Sequence, residues 1–493
     1  MVRAVVGEEH QLQSAEDRLF KSNVSAQIGL VIGKISPALD RAFVFDLITA
    51  PPNDAAQPPC SLLETPAKDD KRRGSKPRSQ SQIDSSSLDI DCDWVAEHAR
   101  QVSRMLLGGM NVVGIFIWAS ESAFKNSSLK IWQTVNRVAE AAPVFDCDVK
   151  ERLIIHISYS PRRWTCRNCL LGSSFNSTSL RPCDFKMGKV LASLQTFKCT
   201  YNFEMRLPIF CETASQGNTL KDVLHNGISQ HAMELKGARA IIDGHLELEE
   251  QTYSPNGIHK VEMLLPFAKD LITEACGGKE IVGAVVFSGS ICSFSYLSPK
   301  ESVSQAIEDI KGDIIMSLRS RLDIICDEAD ADIGSTVEGE TAASSEIFSD
   351  KSLPQAVLHL LRKPCGLVFP RRVLIPWLAD SFICDYLQPS ETFEVLKDHF
   401  RELLSIETLA DTSKILEPEV ESSIKITKSF WDATASSQPS SKPVDQSRPR
   451  SDYDSKQSAK PTTSYASTAI AVLLLALLVG LVIFILDKRS SVA

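Results

Sequence analysis

Apolar and polar positions along this chain fall into short runs whose period switches between two and about 3.6, the pattern of strands interleaved with helices. Ala26–Ile35 and Ala42–Ile48 read as two strands joined by a turn at Ser36-Pro37-Ala38-Leu39-Asp40. Trp94–Met105 has helical spacing, with Trp94, Val95, Val102 and Met105 on one stripe and Asp91 or Asp93 placed to cap it. Gly108-Gly109 ends that helix, and Asn111–Trp118 follows as a continuous apolar strand. Ser128–Ala141 predicts a helix and Leu153–Ser158 a strand. Further strands are expected at Thr196–Leu207, Ala238–Leu246 and Ile281–Leu297, then a helix from Glu301 to about Cys326. A last unit reads as strands Arg372–Pro376 and Phe382–Tyr386 followed by a helix Glu391–Leu404. The alternation implies an α/β layer structure.

Polar stretches divide this pattern, because none can bury enough apolar surface to order itself. The division gives a first domain over residues 1–160 with a disordered insertion at 51–91, and a β-rich α/β region over 161–326. An acidic linker at 327–350, a small α/β unit at 351–432 and a Ser/Pro/Lys/Gln stalk at 433–466 follow. A flexible stalk of that length reaches on the order of 30–35 Å.

One run is of another kind. The eighteen residues Ala469–Leu486 carry no charge and include Ile470, Leu475, Leu478 and Leu481. As a helix they span roughly 27 Å, near the hydrocarbon thickness of a bilayer. Residues 467–486 are therefore expected to be a single transmembrane helix, with the lipid bilayer as its partner and a short tail at 487–493. So late a span implies insertion after synthesis and a cytosolic N-terminal bulk. The endoplasmic reticulum is the expected membrane, with the mitochondrial outer membrane as second choice.

Charge and cysteine content narrow the function. A formal net charge of −9 with no basic block of size gives no footprint for nucleic acid. Thirteen cysteines, an odd count scattered without regular spacing, read as reduced thiols rather than a disulfide framework. Cys166-x-x-Cys169 with Cys183 and Cys199 supplies four thiolates, but the second pair is too far apart for a zinc ribbon, and whether they bind metal stays open. Gly29-Leu-Val-Ile-Gly33-Lys34 is one residue short of a phosphate loop and reads as a strand. No nucleophile elbow or cysteine-protease signature occurs. Neither a catalytic residue nor a cofactor is expected.

The segment from Trp94 to Phe116 contains Trp94, Glu97, His98, Gln101, Arg104, Gly109 and Gly114. It resembles the signature of the odorant-response-abnormal protein four family, and the order of the flanking elements is similar. The resemblance implies a non-catalytic adaptor of the endoplasmic reticulum membrane. It would recruit the cysteine protease specific for the ubiquitin-like modifier UFM and support folding or trafficking of seven-helix receptors. A maturation factor touching client helices directly, and a membrane-bound hydrolase, remain alternatives. The stretches Gln27–Gly33, Arg41–Pro51 and Val113–Ala119 also look like the opening of an MPN domain. Active members carry two zinc-binding histidines and an aspartate, at positions where this chain has Ile117, Ala119 and Lys130; only Ser127 fits. Isoleucine and alanine offer zinc no donor, so the resemblance implies an inactive site.

Overall fold

The first strands curl until the sheet meets itself, which removes the unpaired edges an open sheet would present. In the computed structural model, residues 2–63, 86–144, 150–172, 174–176, 179–210, 219–246, 257–266, 281–337, 368–388, 391–406, 415–419 and 422–427 are described, all in the compact unit Met1–Ser437. The elements are β1 (Ala4–Glu8), α1 (Glu9–Ser22), β2 (Gln27–Ser36), β3 (Arg41–Thr49), β4 (Cys60–Leu63), β5 (Ser87–Ile90), α2 (Cys92–Met105), β6 (Asn111–Trp118), α3 (Glu121–Asn126), α4 (Ser128–Ala141), β7 (Glu151–Tyr159), β8 (Arg162–Leu170) and β9 (Leu180–Gly188). Strands in the order β1-β3-β2-β6-β7-β8-β9 close a barrel, with β1 parallel to both β3 and β9. One face of these strands packs on Leu12, Ala15 and Leu19 of α1. The other packs on α2, α3 and α4.

The next elements are β10 (Gln195–Phe210), α5 (Leu220–Lys236), β11 (Arg239–Ile242), β12 (His245–Leu246), β13 (Ile258–Leu264), β14 (Ile281–Leu297) and α6 (Val303–Val337). The last are β15 (Val368–Phe369), β16 (Arg371–Pro376), β17 (Phe382–Leu387), α7 (Phe393–Leu404), β18 (Ser422–Ser423) and β19 (Lys425–Thr427). A six-stranded sheet runs β12-β11-β13-β10-β14-β19. Along β10, Phe197, Cys199, Tyr201, Phe203 and Met205 alternate onto the face covered by α5 and α6. On β14, Cys292, Phe294 and Tyr296 instead join the barrel's outer core together with Leu374, Ile383 and Phe400 of the last elements.

The mixed α/β class is what the sequence pattern implies, but several boundaries move. A break after residue 160 would fall inside the β7–β8 hairpin, since β8 and β9 complete the barrel. The polar content of Arg162-Arg-Trp-Thr-Cys-Arg-Asn-Cys-Leu170 hid that strand. Part of the 51–91 insertion is ordered: β4 pairs antiparallel with β5, burying Cys60, Leu88 and Ile90. The 327–350 linker is helical up to Val337, as the end of α6. The 351–432 segment is no separate unit, because β16, β17 and α7 share the barrel's outer core and β19 joins the six-stranded sheet. Ala238–Leu246 is two short strands around Asp243-Gly244, both at positive φ.

The expected span at 467–486, with Ala469, Ile470, Leu475, Leu478, Leu481 and Leu486, lies outside the described residues, as does the stalk at 433–466. Among the described residues no helix is long and apolar enough to cross a membrane.

Candidate functional site

Most of the signature residues lie on α2 or just after it, where the barrel meets the remainder of the molecule. Helix α2 starts at an N-cap in which Asp91 accepts the Trp94 N–H at 3.0 Å, satisfying one of the donors a helix start leaves free. Val95, Ala99 and Val102 form its buried stripe. The Trp94 indole N–H donates to the Pro51 carbonyl at 2.9 Å, tying the helix to the chain that leaves β3. Glu97 receives Arg100 at 2.8 Å and Gln101 at 2.9 Å, and the Arg100 hydrogen bond holds its carboxyl below the usual range. Arg104 reaches Asp323 of α6 at 3.0 Å.

His98 is buried and donates from Nε2 to the Leu403 carbonyl of α7 at 2.7 Å. A carbonyl can only accept, so Nε2 carries the proton and the buried Nδ1 is left bare. Burial pushes its pKa down despite that bond, which keeps the ring neutral. His98 is a fastener between α2 and α7.

Gly109 sits at φ 88°, and a Cβ there would lie 2.6 Å from the Asp309 carboxylate. At Gly114 a Cβ would overlap the Leu153 backbone on β7. Both glycines are required by close approach, one at the junction and one inside the barrel. Beside Gly109, the buried Lys34 of β2 contacts Asp309 at 2.6 Å and Glu301 at 3.4 Å. Burial opposes its charge, but Asp309 and Glu301 outweigh it and hold the pKa above the ordinary lysine value. A cleft of about 210 Å³ opens here, with Asn111, Gln305, Glu308 and Met316 among its walls. Sequence reading took Lys34 only as the end of a failed phosphate loop and missed this pairing.

The positions that the MPN resemblance sets against metalloprotease donors are Ile117, Ala119 and Lys130. Ile117 and Ala119 are fully buried in the hydrocarbon core, and Lys130 lies on the partly exposed side of α4. Ser127 is used structurally: its Oγ accepts the Leu88 N–H of β5 at 2.6 Å. Ser127→Ala orphans that buried donor and should lower stability by about 1–3 kcal/mol in urea denaturation. A loss near zero would mean the ordered part of the insertion does not lean on this bond. His156 donates from Nε2 to the Ala119 carbonyl at 3.1 Å and stacks on Phe124.

The four cysteines do not converge. Cys166 and Cys169 are three apart on β8, so they point to opposite faces and enter different cores, while Cys199 lies in the other sheet. Cys166 and Cys183 face each other across β8 and β9, and their mutual hydrogen bond raises the first thiol's pKa and lowers the second's. Among the described residues no three His, Cys, Asp or Glu side chains assemble into a metal site.

With this geometry in place, comparison with known proteins adds the lineage. The family model described as Odorant response abnormal 4-like matches residues 29–415. The Protein odr-4 homolog of Xenopus tropicalis is 23% identical over 95% of this chain and 99% of its own length. The Homo sapiens homolog is 26% identical over 64% of this chain and 69% of its own. That of Dictyostelium discoideum is 25% identical over 80% of this chain and 78% of its own. Among solved structures, the crystal structure of UfSP from C. elegans aligns with a TM-score of 0.37 and 7% identity, over 84% of this chain and 59% of that one. With its junction, its signature helix and most of its barrel inside the matched span, this chain belongs to the odorant response abnormal 4-like family.

Proposed function

We propose that this protein is a non-catalytic adaptor held in the endoplasmic reticulum membrane by the helix of residues 467–486. On this reading its barrel is an MPN-like scaffold, and its task is to keep the UFM-specific cysteine protease at that surface. The observation that carries the reading is the uninterrupted apolar run Ala469–Leu486, long enough for one crossing. Burial of Ile117 and Ala119, where metal donors would be needed, supports the absence of chemistry. Confining a partner to a thin shell beside a membrane raises its effective concentration without any new contact.

Deleting Ile470–Leu486 tests the proposal. The full chain should resist alkaline carbonate and carry the protease into the membrane fraction, and the deletion variant should do neither. Recruitment unchanged by the deletion would refute the adaptor reading. Replacing the span by an unrelated anchor separates the alternative role in receptor maturation: protease recruitment kept while receptor clients are lost assigns that role to the span itself.

A further inference from the structure

A second cleft, of about 270 Å³, lies away from the signature junction. It opens between the end of α1, the start of β2, the end of β3, the β16–β17 connection and the end of α7. Asp46 of β3 sits in its wall, and among the described residues its carboxylate takes one hydrogen bond, from the Leu47 N–H to Oδ1 at 2.8 Å. Among the described residues no ion pair reaches this carboxylate. Among the described residues lining the cleft Arg18 of α1 is the one other charged residue, and its Nη1 donates to Ser14 one turn back, at 3.4 Å.

Three further features favour a positive guest. The end of α7 lines the cleft through Leu404 and the two residues that follow it, Ser405 and Ile406, and the last turn of α1 through Leu19 and Ser22. Helix C-termini carry partial negative charge, although the Leu403, Phe400 and Leu19 carbonyls at these two ends already accept from His98, Ile406 and Ser22. Trp377 supplies an indole, whose face attracts cations. Leu19, Leu404 and Ile406 give apolar wall for an aliphatic stem, and Gln27 adds an amide.

We propose that the Asp46 cleft binds an organic cation, a guanidinium or primary ammonium group on an aliphatic stem of the size of an arginine or lysine side chain. The cationic head pairs with the Asp46 carboxylate between two helix ends, and the stem lies against Leu404 and Trp377. This holds whether or not the anchoring role above is correct.

Burial pushes the Asp46 carboxyl up to about 6, with the Leu47 N–H and Arg18 pulling weakly the other way. The guest-binding form is the ionised one, so affinity is present above that pH and lost below it. The same shift makes the empty site a liability. The folded chain holds this proton more tightly than the unfolded one, so stability falls as pH rises from the ordinary value of 3.8 through about 6.

The test uses the full chain in non-ionic detergent, with butylguanidinium and butylammonium as probes and neutral butylurea as the control, read by calorimetry or saturation-transfer NMR. Both cations should bind at least tenfold more tightly than butylurea at pH 7.5. Their affinity should drop about tenfold by pH 5, where roughly one carboxyl in ten stays ionised. Asp46→Asn should abolish this preference while raising the melting temperature at pH 7.5, which separates lost binding from lost folding. Equal binding of butylurea, or cation affinity unchanged in Asp46→Asn, overturns the proposal. A blocked Gly-Gly-Arg-Gly-Gly peptide that binds as well as butylguanidinium supports the site and assigns the cation to a partner chain. A peptide that is excluded while the free amines bind supports it and assigns a small amine.

Discussion

Arg372→Met destabilises the folded chain by about 3–5 kcal/mol, because it strands a buried carboxylate. Arg372 leaves β16 and is 1% exposed. Its two terminal nitrogens each meet an Asp313 oxygen at 2.8 Å, and Nη1 also donates to the Cys292 carbonyl at 3.2 Å. Burial works against the charge, yet Asp313 holds the guanidinium pKa well above its ordinary value. A second buried pair adjoins it: Arg321 donates to Glu419 at 2.6 Å, and Glu419 also accepts the backbone N–H groups of Arg372 and Cys292. This lock joins β14, β16, α6 and residues 415–419. Chemical denaturation of the full chain measures the loss. The double variant Arg372→Met with Asp313→Leu should recover most of it, since apolar replacement of a whole buried pair is close to neutral. A single variant that loses less than about 1 kcal/mol would mean water reaches Asp313 and screens it.

Lys34→Met should have a comparable effect at the junction, again about 3–5 kcal/mol. It leaves Asp309 and Glu301 buried without their cation, at side-chain exposures of 8% and 2%. The raised lysine pKa fixes the sign of the pH dependence. The pairing contributes fully below the ordinary lysine value and fades only as pH rises through the higher folded value. Wild type and Lys34→Met should therefore differ by a constant amount across neutral pH and converge in strong alkali. Asp309 keeps hydrogen bonds from Ser295 at 3.1 Å and Gln305 at 2.9 Å, so Lys34→Met combined with Asp309→Leu should recover less than the Arg372 double variant. Full recovery would show that those two bonds add nothing.

Local signals were legible where burial follows one period. Asn111–Trp118 and Ser128–Ala141 are elements with the bounds the pattern implies, and Asp91 caps α2. Helix α5 was equally legible and was passed over: Leu220, Val223, Leu224 and Ile228 keep helical spacing behind a Thr219–Asp222 capping box. Strands β8 and β9 were not legible. Strand β8 carries Arg162, Arg163 and Arg167 and buries the polar Asn168, and β9 has Pro182 within it and no fully buried position.

The sequence by itself determined the α/β class, the apolar run at Ala469–Leu486 and the family signature, because each is written in contiguous residues or a fixed spacing. Tertiary structure alone decided what the signature does, closing a junction around Gly109 and Lys34, and how far the barrel extends. It also decided which charges are buried together: the partners of Arg372 and Arg321 lie 59 and 98 residues away. Pairing at that distance depends on which chain segments the packing of the cores brings into contact, and no local periodicity encodes it.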